Sequence, residues 1–137
     1  MAIHGRFVSI ALAMGAIIAL TGCGRTPEVP IGAVNGLVTL DGQPLPEVTV
    51  IFDPKEGGRP SVARTDAEGH YVLNYSNRDK GAKIGSHEVQ VFYQEEMEPT
   101  PASATRPKIP SRYNEKTELS YDVAEGNNEI NIELSSK

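Results

Sequence analysis

The 137-residue chain has one cysteine, no tryptophan and only 6% aromatic residues. A lone cysteine excludes a disulfide within the chain, and a zinc site would need several thiolates or histidines converging on one point. Neither sign of charge is gathered into a long block. The net charge is −5, and Glu47, Asp53, Glu88, Glu118, Glu129 and Glu133 are interspersed with apolar residues, as on solvated strand faces. Nucleic acid is not an expected partner. Long apolar runs are missing too. Residues 7–20 form a 14-residue stretch whose single polar side chain is Ser9, whereas a spanning helix needs about 20 residues. A permanent transmembrane anchor is therefore not expected.

That stretch nevertheless has a secretory signal's anatomy. His4 and Arg6 give a basic-leaning start, an apolar segment follows, and Leu20-Thr21-Gly22-Cys23 closes it. Ordinary cleavage before Cys23 would place Gly22 suitably but Leu20 badly, since small residues are wanted one and three positions before the cut. Leu20, Thr21, Gly22 and Cys23 instead resemble the bacterial lipobox. The resemblance implies that residues 1–22, an N-terminal signal helix, are removed, and that Cys23 carries a diacylglyceryl thioether as the mature N-terminus. One acyl chain anchors only marginally, whereas several anchor stably, each buried methylene contributing about 0.8 kcal/mol. The expected location is extracytoplasmic, held to a membrane through the lipid on Cys23. Gly24 rather than aspartate follows the cysteine, which by the lipoprotein sorting pattern leans toward the outer membrane in a two-membrane cell.

Removal of residues 1–22 leaves 115 residues and takes away Arg6 but no acid, so the net charge becomes −6. A chain of this size makes one domain and buries roughly 60–70% of its unfolded surface. Residues 23–32 comprise the lipidated cysteine and a tether. Within them residues 24–31 contain two prolines and no periodicity, and would reach about 25 Å at ~3.1 Å per residue.

From Val34 onward the apolar period is two, in short segments separated by Gly, Pro, Asn or Asp. Strands are expected over residues 34–40, 47–53, 61–65, 70–75, 87–93, 119–123 and 130–134. Asp41-Gly42 supplies a turn, Pro44 and Pro46 bar pairing between the first two strands, and residues 125–128 make a hairpin turn. Seven such strands and no convincing helix imply an all-β, antiparallel Greek-key-type sandwich of two sheets.

"VNGLVTLDGQPLPEVTVIFDP", "ARTDAEGHYVLNY" and "IGSHEVQVFY" resemble the carboxypeptidase regulatory-like domain, a transthyretin-like sandwich common in bacterial lipoproteins. The match runs through Val34, Gly36, Val38, Asp41, Gly42, Pro44, Leu45, Thr65, Asp66, Gly69 and Tyr71, then Gly85, Val89 and Val91. Ile84 and His87 depart from the family's proline and aromatic positions. The resemblance implies a sandwich over residues 33–135. Each matched residue has a turn or packing role, so the resemblance speaks to fold more than to activity.

No reaction is expected. Cys23 is committed to lipid, and no serine sits in a Gly-x-Ser-x-Gly elbow. His70 alternates against Tyr71, Leu73 and Tyr75 and should face solvent, whereas His87 is in phase with Val89 and Val91 and should face inward. The two cannot share an ion, and no metal or cofactor is expected. Asp53 with Glu56, and Asp66 with Glu68, lack the offsets of a calcium loop. A purine-pathway hydrolase of similar fold requires a Tyr-Arg-Gly-Ser that Glu-Leu-Ser-Ser-Lys does not match. The segment 94–117 is long and holds Pro99, Pro101, Pro107 and Pro110, and loops of that length in compact domains tend to be functional or disordered. Its first half resembles a flexible linker, while Ile109 and Tyr113 could pin the second half. Lys108, Arg112 and Tyr113 are the candidate ligand or partner contacts. The expected function is a membrane-anchored, non-catalytic structural or binding module, with an envelope protein or glycan as partner. The alternatives are a carbohydrate-binding module, which would use Tyr93, Phe92 and Tyr113, or an accessory subunit of an envelope enzyme or transporter.

Overall fold

The computed structural model describes residues 29–137. The expected signal peptide, Leu20, Thr21, Gly22, Cys23 and most of the tether lie outside the described residues. The elements are β1 (Ile31–Leu40), β2 (Gln43–Pro44), β3 (Thr49–Pro54), β4 (Ser61–Arg64), β5 (His70–Val72), β6 (Ala82–Lys83), β7 (Gly85–Phe92), a short helix α1 (Pro101–Ala104), a 3₁₀ turn (Ser111–Tyr113), β8 (Leu119–Val123), β9 (Asn127–Glu129) and β10 (Ile132–Leu134).

Every even-numbered position of β1, from Gly32 to Leu40, is buried, as period-two patterning requires. Ten residues at about 3.3 Å each make a strand some 33 Å long, and this strand is the spine of one sheet. Along one edge it pairs antiparallel with β6, β5 and β2; along the other it pairs parallel with β9 and β10. The second sheet runs β4-β3-β7-β8, antiparallel throughout. The two sheets form a sandwich around Val34, Val38, Tyr71, Leu73 and Ile132 from one side and Val50, Phe52, Ala63, Val89 and Val91 from the other. Phe52 is the aromatic centre, with Tyr121 stacked at 6.2 Å and His87 and Tyr71 tilted at 5.7 and 6.5 Å. Full burial of such a ring contributes roughly 1.5–3 kcal/mol. On one side the sheets are stitched by reciprocal amide bonds between Val62 and Asn74, 3.1 and 3.0 Å.

The all-β sandwich agrees with the sequence pattern, and four details differ from it. Residues 125–128 are not a hairpin: β8 belongs to one sheet and β9 to the other, so the chain crosses the sandwich there. Asn128 organises the crossing, accepting from the Ala124 amide at 2.9 Å and donating to the carbonyls of Ala124 and Ala33 at 2.8 and 3.0 Å. The strands that follow are consequently parallel to β1, whereas the pattern implies antiparallel pairing throughout. Ten strands replace seven among the described residues, because the long β1 is met by several short partners rather than one. Finally, Pro44 does pair with β1, opposite Thr39; a proline retains its carbonyl acceptor, and the next amide, Leu45, donates to Val38 at 2.9 Å.

The sandwich has two poles. At the pole where β1 begins, the Pro30 carbonyl accepts from Ile84 at 3.0 Å, the Lys55 amide donates to Ser86 at 3.0 Å, and Lys83 Nζ donates to the Gly57 carbonyl at 2.9 Å. The other pole carries the Asp41-Gly42 turn, the 65–70 turn, the segment between β7 and β8, and residues 135–137.

Candidate functional site

β7 pairs with β8 only over residues 85–89, and beyond Val89 that edge of β7 would be bare. The segment between the strands fills the gap with side chains: Thr117 Oγ1 donates to the Val89 carbonyl and Asn114 Nδ2 to the Val91 carbonyl at 3.3 Å. Ile109 and Tyr113 are buried against the core, each 9% exposed. The half expected to be a flexible linker instead contains α1. Its start is capped by Thr100, whose hydroxyl accepts from the Ser103 amide while Ser103 Oγ accepts from the Thr100 amide.

Between this segment and the outer face of β7 lies an open groove of about 710 Å³. Phe92, Tyr93 and Ile109 supply its apolar surface, with Arg106, Lys108, Glu95 and Glu115 at its margins. Arg106 lies over the Tyr93 ring, 4.9 Å from its centre, and pairs with Glu96. Partial burial raises the Tyr93 phenol above its ordinary pKa, with Arg106 opposing the shift.

Of the three candidate contacts, Arg112 and Tyr113 are brought together, and Lys108 stands apart from them. Lys108 is exposed on the groove. Arg112 turns away: its guanidinium lies over the Tyr113 ring, 4.8 Å from the centre, and donates to the carbonyl of Ser135 and to the main-chain oxygen of Lys137, the latter at 2.8 Å. The Tyr113 hydroxyl accepts from the Ser135 amide at 3.0 Å. With Asp41, which accepts from the amide of Ser136 at 3.0 Å and from its hydroxyl at 2.5 Å, these residues hold the chain after β10. Sequence reasoning missed Arg106, Asn114 and Thr117; isolated polar residues in an aperiodic segment carry no local signal of their partners.

The histidines lie on opposite faces. His70 is exposed beside a hollow of about 530 Å³ on the outer face of the first sheet, with Asn35, Leu37, Glu129 and Asn131. His87 is fully buried, and its Nε2 lies 2.6 Å from the Lys83 carbonyl. Among the described residues no group of three or more His, Cys, Asp or Glu side chains is placed to hold a metal ion.

No family model matches the chain, and no curated protein matches it. Among solved structures, the chain is similar in part to a DUF3823 family protein from Parabacteroides merdae, 16% identical, with a TM-score of 0.46. The likeness covers 77% of this chain and 46% of that protein, so the chain spans less than half of its length.

Proposed function

We propose that the protein is a bacterial lipoprotein, anchored through a thioether on Cys23, whose carboxypeptidase regulatory-like sandwich is a non-catalytic binding module on the extracytoplasmic side of a membrane. The observation that carries the reading is Cys23 in Leu20-Thr21-Gly22-Cys23, at the end of an apolar stretch too short to span and seven residues ahead of Pro30, whose carbonyl is bonded to the sandwich. The binding surface is the groove along β7. The polar groups around it support binding rather than turnover, because Asn114 and Thr117 are spent on the β7 edge and Arg106 on Glu96 and Tyr93.

An envelope protein fits this groove better than a glycan. Sugar stacking needs a bare aromatic face, and Arg106 covers that of Tyr93. In a two-membrane cell Gly24 favours the outer membrane.

Growth with radiolabelled palmitate tests the anchor. Wild type should incorporate label and fractionate with membranes, whereas Cys23→Ser should do neither. Equal labelling or equal fractionation of the two would overturn the reading. Crosslinking from the groove at Lys108 should trap an envelope protein, and a Phe92→Ala variant should trap at least several-fold less.

A further inference from the structure

The two poles of the sandwich differ in charge. Around the start of β1, Lys55, Arg59, Arg78, Lys80 and Lys83 stand against Glu56, Asp79 and Glu125, a local surplus of cations on a chain whose net charge is −5. Among the described residues, Asp53, Glu88 and Asp122 project from the lateral face of the four-stranded sheet, and Asp122 accepts from Ser86. The opposite pole is acidic on balance, with Asp41, Glu47, Asp66, Glu68, Glu95, Glu96, Glu98, Glu115 and Glu118 against Arg64, Arg106, Lys108, Arg112, Lys116 and Lys137. Arg106–Glu96 is the one ion pair among the described residues, so none of the five cations has a carboxylate partner among them. Four of them are exposed; Lys83 is half-buried and donates to Gly57.

Chain length decides which pole can meet a lipid surface. Pro30 is bonded to Ile84, and the six residues from Gly24 to Val29 that separate it from Cys23 would reach about 19 Å at ~3.1 Å per residue. The sandwich is some 33 Å long along β1. A lipid on Cys23 therefore holds the cationic pole within reach of the bilayer and does not allow the sandwich to stand inverted on its acidic pole. The anionic headgroup layer attracts basic residues that lie within a Debye length of it.

We infer that the pole formed by Lys55, Arg59, Arg78, Lys80 and Lys83 is a docking surface for anionic lipid headgroups, which stands the sandwich upright and turns the groove along β7 away from the membrane. The inference rests on the lipid anchor at Cys23.

The test uses the intact chain extracted from membranes and reconstituted into vesicles of phosphatidylcholine, with or without phosphatidylglycerol. Amide hydrogen exchange over residues 54–60 and 76–84 should slow about tenfold in the anionic vesicles and return to the zwitterionic rate in high salt. Exchange over residues 94–116 should not change. A Lys55→Glu/Arg78→Glu/Lys80→Glu variant, altered only at exposed side chains, should show no difference between the two vesicles. Equal exchange in both vesicles for wild type, with acyl mass found on the Cys23 peptide, would overturn the docking surface and leave the anchor standing. A Cys23 peptide without acyl mass would overturn both.

Discussion

The hydroxyl of Tyr71 donates to the carbonyl of Ile130 at 2.6 Å, joining β5 to the interval between β9 and β10. The register of β1 against both parallel partners is the same, yet the ladder lapses at Ile130-Asn131. There the Ile130 carbonyl turns over Gly36, where any β-carbon would collide with it, and Asn131 Oδ1 takes over by accepting from the Leu37 amide at 3.0 Å. Burial raises the Tyr71 phenol well above its usual pKa, so it stays a donor at all physiological pH.

Tyr71→Phe should leave that carbonyl without its partner and lower stability by about 1–3 kcal/mol. Gly36→Ala should cost more, since backbone must move to admit the methyl group. Urea midpoints of the two variants check both the sign and the order.

Ser61 Oγ is buried and has no hydrogen-bond partner among the described residues. A hydroxyl in that position is desolvated without compensation, so Ser61→Ala should leave stability unchanged or raise it by up to about 1 kcal/mol. A clear loss of midpoint in denaturant would contradict this.

Two exposed carboxylates are held below their ordinary pKa: Asp66 by accepting from the amides of His70 and Glu68, and Asp41 by the hydroxyl and then the amide of Ser136. A depressed carboxylate stabilises the fold above the unfolded value of 3.8, and that stabilisation is lost as pH falls through the lower folded value. Stability should therefore decline below about pH 4. The decline should be shallower in an Asp41→Asn/Asp66→Asn variant, as read from urea midpoints taken across the acid range.

Arg112→Ala should release residues 135–137 while sparing the sandwich, because the guanidinium bonds the main chain there and covers Tyr113. Amide exchange at Ser135 and Ser136 should rise at least about tenfold, with less than about 1 kcal/mol lost globally.

The inward rows of β1, β3 and β7 were legible because period two is a local property: Val34 and Val38, Val50 and Phe52, and Val89 and Val91 are all buried. The opposite orientations of His70 and His87 follow from the same alternation. The alternating rows weaken toward the margins, where Leu119, Tyr121 and Ile130 are only half-buried against the core. Periodicity reports which face is apolar, not how far along the strand the opposing sheet extends.

Local pattern in the chain was thus enough to specify alternating strands and a small two-sheet body. Which strands pair, and in which direction, was settled only by long-range contact. Asn128 reaches back to Ala33 and Ile130 to Asn35 across some ninety residues, and no window of neighbouring residues encodes such a partner. The groove arose in the same way, since Asn114 and Thr117 acquired their role only when the β7 edge beyond Val89 was left for them to cover.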